Sequence, residues 1–307
     1  MSRCPITYQS CVGLYSAKGL KLLSRYLTDL KELPFSAQEL RREAAARSDK
    51  MSIQGVQPKL SARLNIKKQQ FDLVDQDGRY ILKPQISEYQ EVPENEDLTM
   101  RFAHMAGIEV PLHGLLYGRD QELTYFIRRF DRDNHKFKIH VEDFAQLAEL
   151  SRDTKYRSSM ERVAGLIDKY CTFPAVEKLK LFRLTLFCFL IGNEDMHLKN
   201  FSIICRGDVI TLSPAYDLLN TTIVLPQPEE ELALPLKGKT NRLNKKDLVD
   251  YWGRDRLQLT NRVIEKVLLE LRQLGKPWKT LLAASFLSAE MKEKYLSVLE
   301  ERVMRLF

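Results

Sequence analysis

An Asp, an Asn and a second Asp follow the longest apolar stretch of this 307-residue chain in a fixed order. Asp195 comes shortly after that stretch, and Asn200 follows five positions later. Two short β-forming segments, 202–205 and 209–212, then predict a hairpin, and Asp217 lies just beyond it. The chain must therefore fold so that a polar loop joins an apolar helix to a hairpin, with candidate functional residues on both sides of that hairpin.

This spacing is typical of enzymes that transfer a phosphoryl group. In that layout the first Asp accepts the proton of the attacking hydroxyl, the Asn holds one Mg²⁺, and the second Asp holds the metal ions that bridge the β- and γ-phosphates of ATP. Asp195, Asn200 and Asp217 match these roles in order. Each residue alone also fits an ordinary turn, because Asp and Asn are common turn formers, so the prediction rests on the three together.

The composition excludes several classes of protein. With 44% apolar and 29% charged residues, the chain can bury a sizeable core in one large or two medium domains. No run of 18 apolar residues predicts a membrane span, and the first residues lack the apolar segment of a signal peptide, so we expect a cytoplasmic protein without membrane contact. The five cysteines form no C-x-x-C pair, which gives no support for a zinc site or a disulfide framework.

The charge of the chain is a weaker guide to its partners. A formal net charge of +7 favours contact with an acidic molecule. The basic residues are spread along the chain, however, without the fold or the interleaved aromatic residues of a dedicated nucleic-acid module. A solvated surface rich in Lys and Arg is the simpler interpretation.

The predicted elements change in type near residue 140. Before it, a helix over 17–30 with Leu at helical spacing and a polar segment over 38–51 lead into five predicted strands and a helix over 94–106. After it the chain is mainly helical, starting with a helix over 141–150. We therefore predict an α+β protein with two lobes, a sheet-rich lobe over 1–140 and a helical lobe over 141–307, with a ligand in the cleft between them.

The sheet-rich half contains residues suited to binding phosphate. The polar turn 52–59 has one glycine, Gly55, just before a strand, so it can present backbone N–H groups to phosphate oxygens, although an ordinary hairpin entry has the same composition. Lys83 ends an apolar strand, where it can face the α- and β-phosphates or protect a sheet edge. Glu96 can pair with Lys83, or it can simply favour the start of its helix.

The transition between the two halves contains a candidate hinge. Glu142, Asp143 and Phe144 lie where the sheet-rich half ends and the helical half begins. The backbone of such a hinge can bond the edge of an adenine ring while Phe144 packs nearby. A helix start with acidic residues in its first turn is the alternative interpretation.

Together these residues resemble one family closely, the HipA-like serine/threonine kinases of bacterial toxin–antitoxin systems. The segments that carry the resemblance, which extend in order from about Ser52 to Asn220, are Gly55–Lys59, Ile81–Pro84, Glu94–Glu96, Ile127–Arg132, Glu142–Gln146, Gly192–Asn200 and Pro214–Asp217. Within the family the chain looks most like the short HipT toxins of three-gene HipBST systems, because its glycine-containing loop begins only some 50 residues into the chain. Gln54 stands where some HipT chains carry a second serine, and His197 stands where most protein kinases place a lysine.

The resemblance implies a two-lobed protein-kinase-like fold that transfers the γ-phosphoryl group of ATP, with Mg²⁺, to a serine or threonine hydroxyl. It implies that Asp195 is the base and that Asn200 and Asp217 hold metal. The resemblance gives the other site residues these roles: Lys83, oriented by Glu96, clamps phosphate, the loop of Gly55, Val56 and Gln57 covers the nucleotide, Glu142 and Phe144 border the adenine, and Lys199 and His197 are auxiliary charge stabilisers.

The resemblance also implies regulation and partners. The serine before the loop glycine is the autophosphorylation position of the family, which here is Ser52, and Ser61 on the following strand is the nearest further hydroxyl. The implied substrate is an aminoacyl-tRNA synthetase, the tryptophanyl enzyme by likeness to HipT, whose inactivation halts translation. The implied partners are a HipB-like helix-turn-helix antitoxin, through which the complex contacts DNA, and a HipS-like small protein.

Two alternatives have different chemistry. The Asp, Asn, Asp spacing also serves kinases of small molecules such as antibiotics or amino alcohols, so the acceptor can be a metabolite. A kinase-shaped module without catalysis, acting as a co-repressor, is the other alternative. The intact Asp195, Asn200, Asp217 and Lys83 argue against it, because a pseudokinase is free to lose them.

Overall fold

The backbone of the protein, seen in a computed structural model, divides into two compact units. The described residues are 2–47, 57–133, 137–150, 158–225 and 229–307. Unit 1 comprises Met1–Leu98, Pro111–Lys136 and Ala284–Leu287. Unit 2 comprises Thr99–Val110, Phe137–Ala283 and Ser288–Phe307.

Unit 1 is built on a five-stranded antiparallel sheet. A short ribbon of β1 (Ser2–Arg3) and β2 (Ser10–Cys11) precedes this sheet in the chain. The strands of the sheet are β3 (Leu60–Asn65), β4 (Gln70–Leu73), β5 (Tyr80–Pro84), β6 (His113–Tyr117) and β7 (Leu123–Arg128). Their spatial order is β4-β3-β5-β7-β6, so β5 is an interior strand. All five correspond to predicted strands, because alternating apolar residues and turn dipeptides mark them in the sequence.

The helices of unit 1 differ from the predicted ones. They are α1 (Ala17–Leu23), α2 (Ala37–Arg47) and the first part of α3 (Val92–Met105), whose residues from Thr99 belong to unit 2. The predicted helix over 17–30 is wrong beyond Leu23, because Ser24 is extended. Leu27 and Leu30 are nevertheless buried. Both leucines contribute to the core, although the segment that carries them is not helical.

The core of unit 1 forms where apolar faces of the sheet meet the N-terminal segment. Leu60, Ala62, Leu82 and Phe126 are fully buried on neighbouring strands. Phe71 packs edge to face on Tyr80, with ring centroids 5.0 Å apart. Aromatic pairs of this kind add about 0.5–1.5 kcal/mol to the burial of their area, so they help to hold the strand that carries Lys83.

Unit 2 is mainly helical, with one small sheet. That sheet has the order β10-β9-β8 and is antiparallel, with β8 (Val141–Asp143), β9 (Ser202–Arg206) and β10 (Val209–Leu212). Its α-helices are the remainder of α3, α4 (Phe144–Leu147), α5 (Met160–Tyr170), α6 (Pro174–Ile191), α7 (Asn261–Gln273), α8 (Gly275–Ala283) and α9 (Ala289–Leu306). A π-helical segment, Lys246–Arg256, precedes α7.

One prediction for unit 2 is wrong. The predicted helix over 141–150 begins with a strand, because the backbone of Val141–Asp143 pairs with β9. The helix starts only at Phe144, where the Asp143 carboxylate accepts a hydrogen bond from the Gln146 N–H at 2.9 Å. Such a cap ends the strand and starts the helix at one residue.

Helix α6 forms the centre of unit 2. Pro174 lies in its first turn, a position where the missing N–H of proline is tolerated. From Leu186 to Ile191 every side chain is almost fully buried. Arg183 reaches the Ala106 carbonyl at 2.9 Å and the Glu270 carboxylate at 2.5 Å, which satisfies its charge within the fold. Among the described residues no helix has the length and apolar character needed to span a bilayer.

Candidate active site

In unit 1, Lys83 and Glu96 form a buried ion pair. The Lys83 Nζ and Glu96 Oε1 atoms are 2.5 Å apart, and both side chains are about 2–3% exposed. Lys83 lies on the interior strand β5, opposite Tyr125 in the register, and its ammonium group is 5.5 Å from the centroid of that ring. The burial rules out the interpretation of Lys83 as a sheet-edge lysine. The helix α3 therefore holds Lys83 in one orientation through Glu96.

Two further acidic residues of α3 lie in unusual surroundings. Asp97 is fully buried, and its Oδ1 atom is 2.7 Å from Nδ1 of His113 on β6. Glu94 has a buried Oε2 atom with no hydrogen-bond partner among the described residues. Burial, with the nearby charges of other acidic residues, raises the pKa of Glu94 to about 8. Neither feature is predictable from the sequence, because nothing in the spacing of these residues indicates burial.

The candidate phosphate-binding loop of unit 1 falls largely outside the described residues. Ser52, Gly55 and Val56 lie outside the described residues. Gln57 is half-buried, and its Nε2 atom is buried without a hydrogen-bond partner in the described part of the chain. Ser61 lies on β3 and is only 5% exposed, which argues against it as a second acceptor of phosphate.

In unit 2, the candidate catalytic loop begins where α6 ends. Gly192 closes the helix with φ 72°, in the left-handed region that glycine adopts without strain. A Cβ atom at this position would lie 2.7 Å from Thr222 Oγ1 and 2.9 Å from Val298 Cγ1. The helix ends here both because of the backbone conformation and because other segments approach too closely for a side chain.

The loop presents the Asp195 carboxylate to solvent while binding its backbone. Asp195 N donates to Asn193 Oδ1 at 3.0 Å, and Asp195 O accepts from Asn200 Nδ2 at 2.8 Å and from His197 N at 2.8 Å. The Asp195 side chain is 52% exposed, and its Oδ1 atom lies 3.9 Å from Nε2 of the buried His197. The backbone is therefore fixed on both sides of a carboxylate that remains accessible.

Lys199 and Tyr216 link this loop to the segment that carries Asp217. The Tyr216 hydroxyl donates to Lys199 O at 2.8 Å and lies 2.6 Å from Ser202 Oγ. Burial raises the pKa of Tyr216, so it stays a neutral donor. The Lys199 side chain is half-buried.

Asn200 and Asp217, which the sequence predicts as magnesium ligands, both lie in unit 2. Because Nδ2 of Asn200 is bound to Asp195 O, its Oδ1 atom remains for a cation. Asp217 has φ 55°, a left-handed conformation that Asp adopts more readily than most residues. In the described residues no group of three or more His, Cys, Asp and Glu side chains is arranged to hold a metal ion.

The candidate hinge residues are found on β8 and at the start of α4. Glu142 pairs with Ile203 in the sheet, so it is part of a strand rather than of a helix. Phe144 is fully buried, its N–H donates to Phe201 O at 2.9 Å, and the two rings are 6.0 Å apart. The hinge segment is thus joined to the strand that follows Asn200.

Two residues of unit 2 that the sequence does not single out, Thr221 and Thr222, contact the candidate catalytic loop. Thr221 Oγ1 accepts a hydrogen bond from Glu194 N at 2.6 Å. Thr222 Oγ1 donates to Glu194 Oε1 at 2.6 Å. These residues follow Asp217 closely in the chain, but a Thr-Thr pair has no motif by which sequence could have identified it.

The sequence of the chain is similar to that of known proteins over most of its length. The sequence pattern of the HipA-like C-terminal domain family matches residues 51–278. The chain is 36% identical over 255 residues to a Haemophilus influenzae protein named "Putative kinase", covering 76% of this chain and 72% of that protein. It is 28% identical over 208 residues to the serine/threonine-protein kinase toxin HipA of Shewanella oneidensis, covering 61% of this chain and 47% of that protein.

Solved structures show the same fold. In the complex of HipA, HipB and operator DNA from Shewanella oneidensis, the matching chain has a TM-score of 0.70 at 22% identity, covering 91% of this chain and 72% of that chain. The proinflammatory kinase CtkA of Helicobacter pylori has a TM-score of 0.52 at 17% identity, covering 74% of this chain and 86% of that chain. The predicted α+β, protein-kinase-like fold class is confirmed.

Proposed function

Because the chain belongs to the HipA-like C-terminal domain family, we propose that it is an ATP-dependent serine/threonine protein kinase and the toxin of a bacterial toxin–antitoxin system. The Asp195 carboxylate accepts the proton of the acceptor hydroxyl as the hydroxyl oxygen bonds to the γ-phosphorus. The bond from the γ-phosphorus to the bridging oxygen breaks, and ADP leaves. Lys83 clamps the phosphates and Glu96 orients Lys83.

The single observation that carries this proposal is the backbone of the loop after α6. Asn200 and Asn193 bind the backbone of Asp195 on both sides, while the Asp195 carboxylate remains half-exposed. A general base must be accessible to its substrate and yet held in place, and this loop meets both conditions.

The other residues have supporting roles in the proposal. Asn200 and Asp217 would hold Mg²⁺, which when bound would supply positive charge against the β- and γ-phosphates. His197 and Lys199 stabilise negative charge on the transferred group. The loop of Gly55, Val56 and Gln57 covers the nucleotide, and the hinge at Glu142 and Phe144 borders the adenine.

The proposed acceptor is an aminoacyl-tRNA synthetase, and the tryptophanyl enzyme is the first candidate because of the likeness to HipT. Phosphorylation of that enzyme would halt translation in the cytoplasm. The family membership and the toxin named among the relatives support a toxin kinase in general. The specific acceptor follows from the sequence resemblance alone.

Autophosphorylation of Ser52 is the proposed brake on the kinase. A phosphoryl group adds nearly two negative charges just before a loop that must approach the anionic triphosphate, and like charges repel strongly in a partly water-excluded site. Ser52→Asp should therefore lower ATP affinity and toxicity, whereas Ser52→Ala should remain active and escape self-inactivation. Mass spectrometry after ATP treatment tests this, and phosphate only at sites other than Ser52 would contradict it.

The proposed partners are a HipB-like DNA-binding antitoxin and a HipS-like small protein, with DNA contacted through the antitoxin complex. The structural neighbour was solved as a complex of HipA, HipB and operator DNA, and that assembly supports the first partner. Co-purification of the chain with each candidate, followed by an operator-binding assay, tests the assignment.

A panel of purified aminoacyl-tRNA synthetases tests the proposed acceptor. Each synthetase is incubated with the chain, γ-labelled ATP and Mg²⁺, and the labelled residue is mapped. We expect label on a serine or threonine of the tryptophanyl enzyme. Label on another synthetase would change the substrate, and label on none of them would remove this class of acceptor.

A further inference from the structure

The chain just after Asp217 packs against the start of the candidate catalytic loop. The Gly192 backbone turns in the left-handed region, and a Cβ atom there would lie 2.7 Å from Thr222 Oγ1 and 3.0 Å from Asn220 Oδ1. Thr222 N donates to Gly192 O at 3.1 Å. The two segments are therefore in direct backbone contact at the residue where α6 ends.

The Thr221 hydroxyl is fully used in this contact. Its oxygen accepts from Glu194 N at 2.6 Å, and its proton is directed to Gly192 O at 3.2 Å. Thr221 is 7% exposed, so water competes little for either bond. A hydroxyl that both donates and accepts has a fixed orientation, and it fixes the backbone on both sides of Asn193.

The Glu194 side chain adds a second connection. Thr222 Oγ1 lies 2.6 Å from Glu194 Oε1 and 3.1 Å from Gly192 O. The hydroxyl has one proton, and the shorter distance assigns it to the carboxylate. Burial raises the pKa of Glu194, while the bonds from Thr222 and from the Glu230 N–H oppose the rise. The residue before Asp195 is thus held through both its backbone and its side chain.

Asp195 is connected to these contacts through the backbone of the loop. Its side chain is 52% exposed. Its backbone is bound by Asn193 and Asn200, and Asn193 lies between the two residues that Thr221 binds. Any shift of Glu194 moves Asp195 directly.

We propose that Thr221 and Thr222 are positioning residues for the phosphoryl-transfer step, which hold Asp195 in place through Glu194 and tie it to the segment of Asp217. The proposal rests on the proposed kinase function. Thr221 lies four residues after Asp217. One short segment therefore carries both Asp217 and the hydroxyl group that binds the residue before Asp195. The Thr221 contact thereby fixes the position of Asp195 relative to Asp217 within unit 2.

The test compares Thr221→Val with Thr221→Ser in the full chain. Valine keeps the shape and removes the hydroxyl, and a displacement near 1 Å can lower a rate by up to about 10²-fold. We expect Thr221→Val to lower kcat roughly 10- to 100-fold with KM for ATP almost unchanged, and Thr221→Ser to restore most of kcat. Thr222→Val should lower kcat less, because the backbone bond to Glu194 remains.

Thr172→Val is the matched control. Thr172 Oγ1 also accepts a backbone N–H, that of Ile210 at 2.8 Å, but at an exposed site of the same unit away from the loop. This variant should keep kcat. A loss of kcat in Thr172→Val equal to that in Thr221→Val would show that general destabilisation is the cause and would overturn the proposal.

Hydrogen exchange separates this proposal from the kinase function. The Glu194 amide should exchange faster in Thr221→Val than in the unaltered chain, whether or not the chain transfers phosphate. If the unaltered chain shows no transfer, the kinase function fails and the exchange result alone decides whether the Thr221 contact exists. Unchanged exchange, unchanged kcat, or a Thr221→Ser variant as impaired as Thr221→Val would each contradict the positioning role.

Discussion

The two units hold their candidate functional charges in opposite ways. In unit 1 the Lys83 ammonium group is buried and compensated by the buried Glu96 carboxylate at 2.5 Å. In unit 2 the Asp195 carboxylate is half-exposed, and neutral amide and hydroxyl groups hold the backbone beneath it. A buried charge requires a partner charge, whereas an exposed base requires only a rigid support. We infer that Lys83 serves ground-state binding of ATP and that Asp195 serves the transfer step.

The largest effect is expected at Asp195. Asp195→Asn keeps the size of the side chain and removes its basicity, so it should reduce phosphoryl transfer by about 10²- to 10⁴-fold and leave ATP binding nearly intact. Single-turnover transfer and equilibrium ATP binding, measured on one preparation, check both halves of this expectation. Near-normal turnover would remove Asp195 from the role of base.

The next effect concerns the buried ion pair. Lys83→Met removes the ammonium group that faces the buried Glu96 carboxylate, so it should destabilise the chain by about 3–5 kcal/mol and greatly weaken ATP binding. The double variant Lys83→Met with Glu96→Gln should recover stability but not ATP affinity. Chemical denaturation and ATP titration separate the two effects.

Lys279→Met is the control for that experiment. Lys279 pairs with Glu300 at 2.6 Å, but both side chains are about half-exposed. Exposed pairs of this kind contribute about 0–1 kcal/mol. A loss of stability in Lys279→Met as large as that in Lys83→Met would refute the special role of burial in unit 1.

Asp217→Ala should have a smaller and more selective effect. The variant removes an oxygen ligand, so nucleotide affinity should fall in the presence of Mg²⁺ and change little in its absence. ATP titrations with and without Mg²⁺ provide the comparison. Equal affinities of the variant and the unaltered chain in Mg²⁺ would count against Asp217 as a ligand.

The smallest effect on phosphoryl transfer is expected at Glu94. This residue should instead make the stability of the chain depend on pH. The pKa of Glu94 is raised from 4.5 to about 8 in the folded chain, chiefly by burial. Between these pH values the folded state keeps a proton that the unfolded state releases, so the free energy of unfolding should decrease as pH rises. Glu94→Gln should flatten this decrease, as urea denaturation at pH 5 and pH 8 will show.

Glu290→Gln controls for the loss of an acidic residue. Its carboxylate is exposed, and the hydrogen bond and charge of Lys294 lower its pKa. This variant should keep the decrease in stability between pH 5 and pH 8. If Glu94→Gln also keeps it, another group causes the pH dependence.

The sequence predicts the strands of unit 1 more accurately than it predicts the helices of that unit. The strands of unit 1 are marked by apolar alternation and turns such as Asp77-Gly78, so local pattern is sufficient. Helix α2 was missed because its buried stripe is narrow and consists of Ala37, Leu40 and Ala44. A capping box between Ser36 and Glu39 marks its start and could have revealed it. Strand β8 was missed because only pairing with a distant strand makes it extended.

The candidate site also has one part that local sequence predicts and another part that depends on tertiary contacts. The spacing of Asp195, Asn200 and Asp217 is visible in the sequence, because phosphoryl transfer requires those residue types in that order. The anchoring of Glu194 by Thr221 is not visible, because it depends on a tertiary contact between segments nearly thirty residues apart. The residue types of the candidate site can thus be predicted from the sequence, whereas the contacts that hold them in place depend on tertiary packing.

The most direct test of the central claim is the chemical identity of the labelled product. The full chain and its Asp195→Asn variant are each incubated with γ-labelled ATP, Mg²⁺ and a bacterial lysate, and the proteins are separated from small molecules and hydrolysed. We predict label in phosphoserine or phosphothreonine of a lysate protein with the unaltered chain, and at least about 10²-fold less with the variant. Label confined to small molecules or inorganic phosphate, or equal labelling by the two chains, would contradict the account.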